Sequence, residues 1–291
     1  MSLDKKRLSL ESRIAKLGSV LVAFSGGVDS TVVLAVAHKV LGNRVLAVTA
    51  ESESVPAREL EVAHQLTRVL GIQHLVIPTE ETSLPEYLRN PENRCYYCKT
   101  ELYSKLSQIA AEHNLAYVLN GINRDDLGDH RPGITAAREA GILSPLSDTG
   151  LTKQDVRDLA REMNLPNWEK PALACLSSRV PYGQPITMEK LSMIERAENF
   201  LLDAGFQQVR VRHHGDTARI ELPREDIPVL FRNGLSEKIS HRLREIGFSY
   251  ITVDIEGYRS GSLNEILAPC NQAEFKNGKG PSTDVGSRTQ A

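Results

Sequence analysis

Short apolar runs alternate with amphipathic stretches along the first half of the chain. Val20-Leu21-Val22-Ala23-Phe24 is a continuous apolar run that stops at glycines, the mark of a buried strand. A helical pattern follows from Asp29 to Leu41. Arg44 to Ala50 predicts a second strand, Pro56 to Leu70 a helix capped by Gly71, and Gln73 to Ile77 a third strand. Helical periodicity returns from Cys95 to His113, Ala116 to Leu119 predicts a fourth strand before Asn120-Gly121, and Thr152 to Met163 another helix. Strands alternating with helices predict an α/β fold, a doubly wound parallel sheet with helices on both faces. Near-continuous apolar strands agree, because such a sheet is buried on both sides.

The pattern changes near Trp168 to Pro185. This segment holds Pro171, Pro181, Pro185 and Gly183 and predicts a loop. Beyond it come a helix (Thr187 to Ala204), a strand (Gln207 to Arg212), a strand (Thr217 to Leu222), two short helices and a strand (Tyr250 to Ile255). That order predicts a smaller α+β unit. Its two helix-then-strand halves, ending Gly205-Phe206 and Gly247-Phe248, suggest a weak internal duplication. From about Ala273 the chain is polar and rich in Gly, Ser and Thr, the composition of a disordered tail. The expected organisation is a main domain over 1–168, a loop or linker over 169–185, a smaller domain over 186–272 and a tail over 273–291.

The 291 residues suit one large domain or two modest ones. Apolar residues make up 41% and charged residues 25%, which excludes disorder of the whole chain. Lys and Arg number 35 against 37 Asp and Glu, a formal net charge of -2. A chain so balanced is not a bulk nucleic-acid binder, although it has room for a local basic patch. No run of about 18 apolar residues occurs, which excludes a transmembrane helix. Met1 to Arg7 is charged and leads into an amphipathic stretch, not an apolar signal-peptide core. A cytoplasmic location is expected. There the four cysteines suit metal ligation, redox chemistry or nucleophilic attack better than disulfides.

Ser25-Gly26-Gly27-Val28-Asp29-Ser30 directly follows the first strand and opens the first helix. Glycines let backbone N–H groups approach an anion closely, and a helix N-terminus adds unpaired donors and a partial positive charge. Ser25 and Ser30 add hydroxyl donors. No Gly-Lys-Ser/Thr follows, so this is not the loop of kinases and GTPases, nor is it a dinucleotide G-x-G-x-x-G loop. It resembles the PP-loop of the ATP pyrophosphatases, which split ATP between the α and β phosphates. The resemblance implies that AMP is attached to a substrate oxygen, pyrophosphate is released, and a nitrogen or sulfur nucleophile then takes the activated carbon.

Cys95-Tyr96-Tyr97-Cys98 is a C-x-x-C at the start of a predicted helix, where thiol pKa values fall. A third cysteine, Cys175, lies in the Pro-rich loop, and Cys270 lies near the tail. Three converging cysteines could hold a 4Fe-4S cluster by three irons and leave one iron open. With Cys270 they could instead form a four-thiolate zinc site, or they could be unrelated or redox thiols. Ser177-Ser178-Arg179 follows Cys175 closely. An arginine and hydroxyls beside a cysteine favour its thiolate and can bind a phosphate.

Taken together, these residues look like the LarE family, the ATP-dependent sulfur transferases that help make the nickel-pincer nucleotide cofactor of lactate racemase. The resemblance runs from about Leu17 to Ile266. Its blocks after the first include Asn120-Gly121 through Asp125-Asp126, Asp129-His130-Arg131-Pro132-Gly133, Ser144-Pro145-Leu146, Cys175 through Gly183, Ala197-Glu198, Val209 through Arg212, Ala218 through Glu221 and Gly257 through Gly261. It implies adenylation of a carboxylate of pyridinium-3,5-biscarboxylic acid mononucleotide, followed by displacement of AMP by sulfur. In some members the cysteine of the Cys175 loop gives up its own sulfur and becomes dehydroalanine. This chain departs from that form by also carrying Cys95 and Cys98, as do members that look like cluster proteins. Cys95, Cys98 and Cys175 are then the expected ligands of a 4Fe-4S cluster, with Cys175 also the expected catalytic residue.

The resemblance assigns further roles. Ser25, Gly26, Gly27, Asp29 and Ser30 would cradle pyrophosphate and Mg2+, although Asp29 could instead only cap the helix. Ala50 to Ser52 would border the adenosine, and Gly121 and Asp126 would complete the ATP site. Asp125, Asp126 and Asp129 could equally form a solvated acidic loop. Ser178, Arg179, Arg210 and Arg212 are candidates for the substrate's phosphate. Arg210 and Arg212 leave one face of a strand, where two arginines can also be ordinary surface. Glu198 is a candidate for substrate or metal contact, or is simply solvated. The expected partners are a small-molecule nucleotide substrate, a sulfur donor and other lactate racemase maturation proteins, with no nucleic acid and no membrane. A homo-oligomer is expected. The alternatives are a tRNA-thiolating enzyme with the same loop and a three-cysteine cluster, an ammonia-using amide synthetase, and a non-enzymatic adenine-nucleotide sensor on the same sheet, which would not need the loop intact.

Overall fold

In the computed structural model the chain is described over residues 1–128, 132–171, 174–259 and 261–267. Expectations that fall on Asp129-His130-Arg131, Ala172-Leu173, Ser260, Cys270 and the 273–291 tail lie outside the described residues. The first unit runs α1 (Leu3–Ala15), β1 (Val20–Ala23), α2 (Val28–Leu41), β2 (Val45–Glu51), α3 (Ala57–Leu70) and β3 (His74–Pro78). It continues with the short α4 (Pro85–Leu88), α5 (Arg94–Glu112), β4 (Tyr117–Leu119), α6 (Pro132–Glu139), the one-turn α7 (Pro145–Asp148) and α8 (Lys153–Glu162).

Its four strands form a wholly parallel sheet in the order β3-β2-β1-β4. Successive side chains of β1 point to opposite faces. Val20 and Val22 pack with α1, α2 and α8, whereas Leu21 packs with Tyr103, Leu106 and Ala110 of α5 and Ala136 and Ala137 of α6. Both faces are therefore covered, which is why these strands read as unbroken apolar runs. Helix α2 is buried almost all round, with Val32, Val33, Leu34 and Val36 wholly inaccessible. Gly71 ends α3 with a left-handed φ of 66°, as a C-terminal glycine cap does.

The predicted strands and long helices are present with ends shifted by a few residues. Helices α1, α4, α6 and α7 were not predicted. Helix α6 buries only Ala136 and Ala137, which gives too little apolar contrast for a periodic signal.

The second unit comprises α9 (Met188–Asp203), β5 (Arg210–His214), β6 (Thr217–Glu221), α10 (Leu235–Ile246) and β7 (Tyr250–Val253). The sheet order is β5-β6-β7, with β5 antiparallel to β6 and β7 parallel to it. The first of the two expected short helices is a 3-10 helix, Arg224–Phe231, with Pro228 inside it. Helices α9 and α10 bury Leu201, Leu243 and Ile246 against Val211, Ala218 and Ile220, with Phe206 and Phe248 in the same cluster. The opposite face of β5 carries Arg210 and Arg212, both buried. No helix among the described residues is long and apolar enough to cross a membrane.

Candidate active site

The strand order reverses between β1 and β4, and doubly wound sheets bind ligands in the crevice at the carboxyl ends of the strands at such a reversal. The Ser25–Ser30 loop leaves β1 there. Gly26 adopts a left-handed φ of 67°, which glycine takes without strain. Gly27 is the N-cap residue of α2, and no side chain caps that helix. Its opening N–H groups and their partial positive charge are thus left for a ligand. The Ser25 and Ser30 hydroxyls lie 3.2 Å apart, and Ser30 donates to the Gly27 carbonyl at 3.1 Å. Gly121, leaving β4, lies so close that a Cβ there would come within 2.8 Å of the Ser30 nitrogen.

Asp29 does not cap the helix. Its Oδ1 accepts from Asn123 Nδ2 at 3.2 Å, and its Oδ2 pairs with Lys153 Nζ. Asp126 accepts from the Asn123 N–H at 3.0 Å and Asp125 from the Lys153 N–H at 2.8 Å, so these carboxylates belong to a bonded turn and not to a loosely solvated loop. Lys153 was missed by sequence reasoning. Its only local signal is its place just after Thr152, whose capping box with Asp155 fixes the start of α8. Lys170 and Asn167 were missed too. Lys170 pairs with Glu59 at 2.7 Å and donates to the Gly26 carbonyl at 3.4 Å, while Asn167 donates to the same carbonyl at 3.0 Å.

Ala50 and Ser52 stand at the exit of β2, as expected. Ser52 donates to Glu81 Oε1 at 2.6 Å, and Ser54 donates to the same oxygen at 2.6 Å. The 3-10 turn that carries Glu81 follows β3, so this cluster sits along the same edge of the sheet.

Cys95 and Cys98 lie near enough to the Cys175 turn for Cys175 to raise the pKa of both. Cys95 and Cys98 lie at the start of α5, three residues apart and hence on one face. Cys175 precedes the 3-10 turn Leu176–Arg179, which three contacts hold in place. The Leu176 N–H donates to the Ser54 carbonyl at 2.8 Å, Tyr87 and Ser177 hydroxyls meet at 2.5 Å, and Arg94 Nη1 donates to the Ser177 carbonyl at 2.9 Å. All three cysteines are free, with Cys95 at the surface and Cys98 and Cys175 half-buried. Although Cys95 is at the surface, protein atoms crowd its thiol, so that desolvation and then Cys175 push its pKa up against Arg94 and Lys99. Burial pushes the Cys98 thiol up to about 12, opposed by Lys99 and reinforced by Glu81, Cys175 and Cys95. For both thiols, burial therefore outweighs the lowering expected at a helix start. Among the described residues no three His, Cys, Asp or Glu side chains converge closely enough to hold a single metal ion.

The arginines line the back of the Cys175 turn and are buried, not surface groups. Arg179 grips Glu198 through two hydrogen bonds of 2.8 and 3.0 Å, and donates to the Ala174 and Cys175 carbonyls at 2.7 and 3.1 Å. Glu198 also accepts the Val211 N–H at 2.9 Å, so it is not solvated. Arg212 grips Glu221 at 3.0 and 2.9 Å and donates to the Ser178 carbonyl at 2.7 Å. Arg210 lies over the Tyr258 ring, 5.4 Å from its centroid. Burial and then neighbouring Arg179 lower the Arg210 pKa. The Ser178 hydroxyl donates to the Cys175 carbonyl at 2.8 Å.

A parallel sheet with an uncapped Ser-Gly-Gly-Val-Asp-Ser loop at its first βα turn defines a PP-loop, ATP-using protein. Residues 19–86 match the family described as Queuosine biosynthesis protein QueC. The chain is 45% identical over 265 residues to an uncharacterised protein of Synechocystis sp., covering 91% of this chain and 99% of that one. It is 39% identical over 275 residues to the pyridinium-3,5-bisthiocarboxylic acid mononucleotide synthase of Lactiplantibacillus plantarum, covering 94% and 99% of the two chains. One chain of the glutamine-hydrolysing GMP synthase of Archaeoglobus fulgidus is 25% identical over 205 residues, 64% of this chain and 65% of that one. The chain belongs to the pyridinium-3,5-bisthiocarboxylic acid mononucleotide synthase family, that is, the LarE family.

Proposed function

We propose that this chain is an ATP-dependent sulfur transferase acting on pyridinium-3,5-biscarboxylic acid mononucleotide, on the way to the nickel-pincer cofactor of lactate racemase. A substrate carboxylate attacks the α phosphate of ATP, and pyrophosphate leaves. Sulfur then adds to the acyl carbon, the bond to AMP breaks, and a thiocarboxylate remains. The observation that carries this reading is the hydrogen bond from Leu176 to Ser54, which fastens the Cys175 turn to the loop leaving β2, along the edge where the PP-loop opens.

In this reading Ser25, Gly26, Gly27 and Ser30 take the pyrophosphate through N–H and hydroxyl donors. Asp29 supplies a carboxylate for Mg2+, with Lys153 beside it as a second cation for the phosphates. Ala50, Ser52, Gly121 and Asp126 border the ATP. Ser178, Arg179, Arg210 and Arg212 hold the substrate nucleotide. Glu198 and Glu221 fix the Arg179 and Arg212 forks before substrate arrives, a pre-organisation that spares entropy later. The enzyme works as a homo-oligomer alongside a sulfur donor and other maturation proteins.

For the sulfur source we favour a 4Fe-4S cluster held by Cys95, Cys98 and Cys175 over sacrifice of Cys175 itself. What supports this is the chemistry of the donors: three free thiols, with Arg94 and Lys99 beside Cys95 to balance an anionic cluster. When bound, it would supply an iron without a thiolate, able to carry a sulfide. An ammonia-using amide synthetase, favoured by the likeness to GMP synthase, would have no use for these thiols.

Anaerobically purified protein is expected to hold about four irons per chain and to release pyrophosphate from ATP only with the dicarboxylate nucleotide. The Cys95→Ser/Cys98→Ser double variant should lose the iron and retain adenylation. Full multiple-turnover sulfur transfer by that iron-free variant would overturn the cluster, and pyrophosphate release driven by tRNA alone would overturn the substrate. A further expectation concerns Gly121. The Gly121→Ala methyl meets the Ser30 backbone and shifts the loop, so ATP–pyrophosphate exchange should fall by about 100-fold, the usual scale for displacing a positioned phosphate group.

A further inference from the structure

Arg94 is a buried cation that meets no carboxylate among the described residues. It is 2% exposed. Its partners there are neutral: Nη1 donates to the Asn90 side-chain oxygen and, at 2.9 Å, to the Ser177 carbonyl. Nε is buried with no partner, and Nη2 donates to no group among the described residues. Nε–H and one Nη2–H of a guanidinium point the same way and form a fork that grips a carboxylate side-on. The Tyr182 ring lies over the face of the guanidinium, 5.7 Å from its carbon, and leaves that edge free. A buried charge is costly unless an opposite charge meets it, so the bare fork points to an anion that the protein does not supply. Burial opposes the Arg94 charge, and the groups that offset this are Cys175, Cys95, Tyr87 and Tyr182, thiols and phenols in place of carboxylates. Position narrows the choice of anion. Arg94 and Arg212 hold the successive carbonyls of Ser177 and Ser178, just beyond Cys175 in one turn. Arg212 belongs to the cluster proposed above for the substrate's phosphate. Arg94 stands at the neighbouring peptide, within the length of a nucleotide.

We propose that the Arg94 fork binds the substrate carboxylate that is not being joined to AMP. The inference rests on the substrate reading above and holds for either source of sulfur. The substrate carries two carboxylates on one ring. One is activated; the other keeps its charge and matches a single cationic fork. The ring is symmetric about the line through its nitrogen and C4, so half a turn about the bond to the ribose exchanges the two groups. In the second round the fork holds the thiocarboxylate made in the first, which carries the same charge. Arg94 then sets specificity, because a nucleotide with one carboxylate cannot both react and fill the fork.

The test uses the full chain and two nucleotides, pyridinium-3,5-biscarboxylic and pyridinium-3-carboxylic acid mononucleotide. ATP–pyrophosphate exchange is read as kcat/KM, which counts only productive binding. The unaltered protein should favour the dicarboxylate by about 100-fold, the scale of a charged hydrogen-bonded contact. Arg94→Lys keeps the charge and loses the fork. It should use the monocarboxylate as its parent does and favour the dicarboxylate by no more than about tenfold. A purely structural role would slow both nucleotides alike. A crystal structure of the unaltered protein with the dicarboxylate nucleotide does not depend on the variant folding. It should place one carboxylate about 2.8 Å from both Nε and Nη2 of Arg94. Both carboxylates bound elsewhere, equal use of the two nucleotides by the unaltered protein, or the same preference in Arg94→Lys overturns the Arg94 assignment and leaves the activity standing. Failure of the unaltered protein to bind or use the dicarboxylate nucleotide overturns the substrate reading as well.

Discussion

Cys175→Ser should abolish thiocarboxylate formation while pyrophosphate release continues. The substitution changes one atom. The contacts that set the turn are the Leu176 N–H to the Ser54 carbonyl, the Tyr87–Ser177 pair and the Arg179 and Ser178 bonds to the Cys175 carbonyl, and none of them uses sulfur. The change does not touch the Ser25–Ser30 loop proposed above to serve adenylation. Mass spectrometry of product and protein reads both outcomes. In a cluster enzyme the unaltered chain should keep its mass over several turnovers. In the sacrificial route each chain would turn over once and lose the elements of hydrogen sulfide. Thiocarboxylate made by Cys175→Ser would remove Cys175 from the chemistry altogether.

The largest expected loss of stability is that of Glu198→Ala. It strips Arg179 of both its carboxylate bonds and orphans the Val211 N–H, all inside the protein. Breaking one side of a buried ion pair typically costs about 3–5 kcal/mol. Denaturant unfolding should show a fall in unfolding free energy of that size. An exposed glutamate, as a solvated α9 position would be, should cost no more than about 0.5 kcal/mol. Replacing both partners by leucine should recover much of the stability, because no lone charge is left buried. If Arg179 holds the substrate as proposed, the double variant should nonetheless fail to bind the mononucleotide. A single Glu198→Ala protein as stable as its parent would refute the pairing.

The sequence revealed the fold well because the parallel sheet is buried on both faces. Val20 to Phe24 and Arg44 to Ala50 have no polar side to confuse the pattern, and α2 is bounded at both ends by glycines, Gly27 and Gly42. Local chemistry was legible too: the glycine loop, the C-x-x-C and the alternating arginines of β5 all sit within short windows. What the sequence hid were long-range pairings. Asp29 meets Lys153 across 124 positions, and Glu81 meets Ser52 and Ser54 across 29 and 27. The α9 spacing groups Glu198 with the buried Leu191, Ile194 and Leu201, but nothing near it in sequence names Arg179 as its partner.

The Cys175 turn is bolted at both ends to different halves of the molecule. On one side the Leu176 N–H is tied to Ser54 of the parallel sheet. On the other, Arg212 of β5 donates to the Ser178 carbonyl and Arg179 is locked to α9. Two further ties, Ala57 N–H to Glu195 and Arg58 to Asp203, join the same halves. The sulfur atom therefore inherits its position from how the two lobes are docked. Loosening that docking along the seam would move the Cys175 thiol relative to the Ser25–Ser30 loop, however intact each lobe remained by itself.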